Sequence, residues 1–116
     1  MMNNTKKSNA QHYPVPALRE ELRLQANQIT ARLSRSVARL TSCENQPCLE
    51  YGEEVAFQQE LAQRLFYLQH CRNALERSLT GKGSTLRYRW PDGTVTRTTF
   101  RKAGPNRIKV IGLLLQ

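Results

Sequence analysis

Arginine recurs at even spacing in two short stretches of this 116-residue chain, and the spacing carries a chemical meaning. Arg87 and Arg89 sit in TLRYRW and Arg97 and Arg101 in TVTRTTFRK, with Pro91-Asp92-Gly93 between the two stretches. In an extended strand, residues two or four apart share one face, so each stretch presents its guanidinium groups together. Guanidinium forks interleaved with threonine hydroxyls suit phosphate oxygens, which accept charge-assisted hydrogen bonds from both. Lys82, Lys102, Arg107 and Lys109 flank these stretches as supporting cations. Tyr88 and Trp90, in the same segment, have two readings: a platform on which unpaired bases stack, or the apolar underside of a small sheet. The second is expected, because a sheet of three short strands must bury one face.

The turn chemistry decides which side chains share a face. Proline followed by aspartate and glycine favours a type I turn closed by a bulged, left-handed Gly93. That form pairs Trp90 with Thr94, Tyr88 with Thr96 and Leu86 with Thr98. One face then holds Leu86, Tyr88, Trp90, threonines and Phe100, and the other holds Arg87, Arg89, Val95, Arg97, Thr99 and Arg101. A rival two-residue Asp92-Gly93 loop would split the arginines between faces. The bulged register sets Arg87 opposite Arg97, a like-charge pair costing a few tenths to ~1 kcal/mol unless an anion neutralises it.

The whole-chain charge points the same way. The formal charge is +9, from 18 Lys and Arg against 9 Asp and Glu. Residues 1–50 carry a net +3 and residues 51–80 a net −1, whereas residues 81–116 carry eight basic groups against Asp92 alone. Such asymmetry suits an anionic partner, nucleic acid or an acidic protein surface. No run approaches the ~18 apolar residues of a membrane span, and MMNNTKKSNAQ has no apolar stretch after its lysines. A cytoplasmic protein without membrane association is expected.

Other chemistry finds less support. Cys43, Cys48, His70 and Cys71 are a conceivable zinc set, but some twenty helical residues, roughly 30 Å at 1.5 Å per residue, separate Cys71 from the other cysteines. Cys71 is expected in the core, and reduced thiols are expected throughout. No Ser/His/Asp arrangement, Gly-rich phosphate loop or carboxylate pair beside a histidine is present, so neither an enzyme nor a cofactor is expected.

These residues need elements to position them. Residues 1–16 are polar and aperiodic and read as a flexible arm. Leu18, Leu22, Ala26, Ile29, Leu33, Val37 and Leu40 form one stripe of a helix over about 17–42, with Glu20 and Glu21 expected to complement its positive end. A second stripe, Phe57, Leu61, Leu65, Leu68, Cys71, Leu75 and Leu79, widened by Ala62, Phe66 and Ala74, marks a helix over about 53–80 that Gly81 ends. The two predict an antiparallel, nearly straight αα-hairpin. Residues 84–116 then predict a basic β-hairpin plus a third strand, with 107–115 open to either strand or short helix. The fold class is α+β. Arg32, Arg35 and Arg39 share the face opposite the first stripe and form a secondary basic track, while Glu44, Glu50, Glu53 and Glu54 cluster at the hairpin tip.

Three local resemblances accompany this reading. EVAFQQELAQRLFYL (residues 54–68) resembles a segment of the phage Gam family of host-nuclease inhibitors. Gam-like proteins imitate DNA with an acidic surface, which this basic chain does not share. A hairpin with acids at its tip resembles the coiled-coil fingers of the Gre and DksA transcription factors, which enter the polymerase secondary channel, although the Asp-rich DksA tip motif is absent. LQHCRNALER is similar to a helix of the PriC primosome family. The resemblances imply only an accessory to nucleic-acid enzymes, and no functional residue is carried across.

The resulting expectation is a non-catalytic nucleic-acid-associated protein. Arg87, Arg89, Arg97 and Arg101 would make the main phosphate contacts, and the hairpin would dock on a protein or dimerise. The alternative is a protein–protein effector, an inhibitor or regulator of a polymerase or nuclease complex that acts through the hairpin tip and the basic surface.

Overall fold

The chain enters the fold from Ala10 as a strand. The computed structural model describes residues 10–42 and 51–115, and over them the order is β1 (Ala10–Pro14), α1 (Val15–Ser42), α2 (Tyr51–Thr80), β2 (Ser84–Arg89), β3 (Val95–Gly104) and β4 (Arg107–Ile111). The sheet has four antiparallel strands in the order β1-β4-β3-β2, not the expected three. Part of the expected arm supplies the extra strand: Tyr13 pairs with Ile108 and Gln11 with Val110. The physical reason is the free edge of β4, whose unpaired backbone groups β1 satisfies. Residues 107–111 are strand, which settles the strand-or-helix question for that part of the C-terminal segment.

Helix α1 follows β1 without a loop. Pro16 sits in its first turn, where no amide hydrogen is needed, and the Val15 amide donates to the Asn106 carbonyl in the β3–β4 turn at 2.9 Å. The early start leaves no acid in the first turn, contrary to the role expected for Glu20 and Glu21. Glu20 instead pairs with Arg23, and Glu21 accepts from the Gln25 amide. In α2, Glu53 and Glu54 do lie in the first turn.

The helices pack antiparallel, as both ends of the pair show. Near the sheet, Arg19 of α1 forks onto Glu76 of α2 with two 2.8 Å bonds. Toward the other end, the Glu54 carboxylate accepts from Ser36 and from Arg39, the latter at 2.7 Å. Between them Leu18, Leu22, Ile29, Leu61, Leu68, Cys71, Ala74 and Leu75 are buried. Two residues of the expected stripes are exposed, Val37 at 50% and Phe66 at 56%. Ser36 occupies the buried position beside Val37 because Glu54 and Gln58 satisfy its hydroxyl. One residue beyond Phe66, Tyr67 takes the buried place and faces the sheet.

The sheet closes the open end of the hairpin and leans mainly on α2. Its inner face presents Thr98, Phe100, Ile108 and Val110, all buried, together with Leu86, Tyr88 and Trp90, which pack against the same core. The hydrophobic effect thus selects one sheet face and leaves the other to water. Among the described residues, no helix is long and apolar enough to cross a membrane.

Candidate anion-binding face of the sheet

The β2–β3 register follows from the turn. The Trp90 amide donates to Thr94 O at 2.8 Å, the Gly93 amide to Trp90 O at 2.9 Å, and Gly93 has φ 93°, a conformation suited to glycine. Asp92 accepts from the Thr94 amide and hydroxyl at 3.0 and 2.7 Å. The Thr94 hydroxyl, more than its amide, holds the Asp92 carboxyl below its ordinary range. The turn therefore consumes the one acid of the C-terminal third. Leu86 pairs with Thr98, Arg87 with Arg97 and Tyr88 with Thr96, as the bulged form requires.

Alternation then places the charges. The outer face carries Arg87 and Arg89 from β2, Val95, Arg97, Thr99 and Arg101 from β3, Arg107, Lys109 and Ile111 from β4, and His12 from β1. It is ordered in rows across the strands. Arg97 faces Arg87; next comes the uncharged row Ala10, Ile111, Thr99, Thr85; beyond it lies His12, Lys109, Arg101. The Thr85 and Thr99 hydroxyls bond each other at 3.2 Å, which stiffens the middle row. Gly83 lets the Arg101 stem cross the start of β2, since a Cβ there would meet Arg101 Cγ at 3.3 Å. Among the described residues, no strand contains an acid and no carboxylate ion-pairs with any cation of this face; the ion pairs found there all lie on the helices.

The inner aromatic residues fix the orientation of the face. Tyr67 of α2 meets Tyr88 edge-on with centroids 5.7 Å apart and Trp90 at 5.5 Å. The Tyr88 hydroxyl donates to Gln63 Oε1 at 2.6 Å and Trp90 Nε1 donates to Thr96 at 2.7 Å. A relay of bonds ties the C-terminal segment down: Leu114 N–H donates to Tyr67 Oη (3.0 Å), Tyr67 to Thr98 Oγ1 (2.7 Å), and Thr98 to Gly112 O (3.0 Å). Burial raises the Tyr67 phenol well above its usual pKa and pushes the neighbouring Cys71 thiol up to about 12. Both are neutral core groups at physiological pH, as expected for Cys71.

The remaining sequence candidates fall elsewhere. Lys102 pairs with Ile108 and so belongs to the inner side by alternation, exposed past the edge of the core, and Lys82 precedes β2. The Arg32–Arg39 track turns partly toward α2: Arg39 is bound to Glu54, and the Arg32 guanidinium lies 5.7 Å from the Phe57 ring centroid. Arg39 holds the Glu54 carboxyl below its ordinary range, with Ser36 assisting. Glu53 and Glu54 are in the described chain, whereas Glu44, Glu50, Cys43 and Cys48 lie outside the described residues. His12 is the member of the basic face that sequence reasoning missed. The alternation of Gln11, His12 and Tyr13 was its only signal, too short to stand out in a polar segment.

Comparison of the chain with protein-family models, curated proteins and solved structures finds no match.

Proposed function

We propose that this chain is a non-catalytic nucleic-acid-binding protein whose outer sheet face holds phosphates. One observation carries the reading: Arg87 and Arg97 stand directly opposite each other on a face that has further cations on β4 and no acid on any of the described strands. Apposed like charges cost stability in the free protein, and a polyanion supplies the missing counter-charge. The threonine hydroxyls of the same face add neutral donors for phosphate oxygens. The helical hairpin then serves as the rigid support and as the surface left for a protein partner.

Fluorescence anisotropy with labelled nucleic acid tests this. Binding is expected at low salt and should weaken steeply as salt rises, because each neutralised phosphate releases counterions. Arg87→Thr combined with Arg97→Thr should weaken it on every sequence alike. Absence of affinity at low salt would remove the proposal and favour an acidic protein surface as the partner of this face.

A further inference from the structure

We infer that the face takes double-stranded DNA, straddling one groove with a cationic cluster on each phosphate backbone. The inference rests on the nucleic-acid reading above and narrows it by two independent observations.

The first is the spacing of the charges. Arg87, Arg89 and Arg97 cluster toward the β2–β3 turn, and Arg101, Lys109 and Arg107 toward the opposite end of the sheet. The uncharged row of Thr85, Thr99 and Ile111 separates them. Arg97 and Arg101 are four residues apart on β3, which is roughly 13 Å at 3.3–3.4 Å per strand residue. The major groove of B-form DNA is about 12 Å wide. Two clusters at that separation meet the two walls of a groove, whereas one flexible strand offers no such pair of fixed rails. The major groove of an RNA duplex, deep and narrow, offers no such match.

The second is where the two large rings of the β2–β3 hairpin point. Binding of single strands draws on aromatic platforms for exposed bases. Here Tyr88 and Trp90 are turned inward and held by Gln63, Thr96 and Tyr67, so neither ring is offered to a base from the outer side. The middle row over the groove holds no arginine, lysine, asparagine or glutamine, the side chains that read base edges most specifically. Recognition by phosphate geometry, indifferent to sequence, follows.

The test is anisotropy on the full chain with four probes at a series of salt concentrations: two mixed-sequence DNA duplexes unrelated to each other, one of their single strands, and an RNA duplex. The DNA duplexes should bind alike, and each several-fold tighter than the single strand or the RNA. Arg87→Thr with Arg97→Thr, and separately Arg101→Thr with Lys109→Thr, should each reduce the salt slope on duplex DNA by about 1.8, from 0.9 per lost phosphate contact. Single-stranded DNA or duplex RNA binding as tightly as duplex DNA overturns the inference while leaving the phosphate-binding reading intact. A slope that responds to only one of the two pairs overturns the straddling arrangement. No binding to any probe overturns the function itself.

Discussion

Replacing Tyr67 with phenylalanine removes one oxygen from the point where α2, the sheet and the C-terminal segment meet. The ring stays, so the change is one of hydrogen bonding and not of shape. The Gly112 carbonyl can only accept, so Thr98 donates to it and must receive its second bond from the Tyr67 hydroxyl, which in turn accepts from the Leu114 amide. In Y67F the Leu114 amide loses its acceptor and Thr98 loses a donor. Tyr67 and Thr98 are both 0% exposed, so at their end of the relay water cannot substitute. Two hydrogen bonds are lost, at about 1 kcal/mol each, so we expect ~2 kcal/mol here. At roughly 4 °C per kcal/mol for a domain of this size, Tm should fall by about 8 °C. Thr98→Val strands the Gly112 carbonyl and the Tyr67 hydroxyl at similar cost. The double variant removes both hydroxyls together and should cost less than the sum of the single variants by ~1 kcal/mol or more. Urea denaturation followed by circular dichroism measures all three. Y67F within ~0.5 kcal/mol of wild type, or strict additivity of the cycle, would refute the relay. DNA affinity should not change in variants that remain folded, since no outer-face group is touched.

Three further outcomes are expected. Gly112 has φ 79° and a Cβ there would lie 2.3 Å from the Arg97 carbonyl oxygen, so G112A must displace β3 backbone; it should lower stability by more than ~1 kcal/mol, and an unchanged melting temperature would contradict the close approach. R97T relieves the Arg87–Arg97 repulsion, so it should raise Tm slightly at low salt, lose that gain in 1 M salt where screening is strong, and weaken nucleic-acid binding; a fall in Tm would argue against like-charge strain. Acid should destabilise the fold through carboxylates held below their ordinary pKa, Glu76 by Arg19, Glu20 by Arg23 and Glu54 by Arg39. Their folded values lie below the unfolded 4.5, so their contribution is present above that pH and is lost as pH falls through the lowered values. E76Q should flatten part of this dependence in pH-dependent melts, modestly because the Arg19–Glu76 pair is half exposed.

The register of the basic hairpin was legible because turn chemistry is local. Pro91, Asp92 and Gly93 select one turn, and one turn fixes the parity of every residue from Leu86 to Arg101. The helices were legible for a related reason: a stripe of leucines repeats at helical spacing whatever lies opposite. Positions where burial depends on a distant partner were not. Ser36 is buried only because Glu54 and Gln58, across the hairpin, satisfy its hydroxyl, and no pattern in α1 announces that. Phe66 and Tyr67 are adjacent aromatic residues on one helix, and the arrival of the sheet decides that Tyr67 is covered and Phe66 is not. Arg39 stays exposed on its track, but its bond to Glu54 depends on α2, and no pattern in α1 announces it.

From its sequence alone this protein determines two helices, a bulged hairpin and a strand face rich in arginine, because periodicity and turn geometry act over a few residues. The tertiary structure decided what those arginines add up to. Pairing β4 beside β3 brought Lys109 level with Arg101, and pairing β1 beside β4 added His12 to the same row. Packing on α2 turned Tyr88 and Trp90 inward and so chose which face meets solvent. A patch of charge on one hairpin became two clusters across the sheet because β4 pairs with β3 and sets Lys109 level with Arg101, a relation that alternation within one strand does not encode.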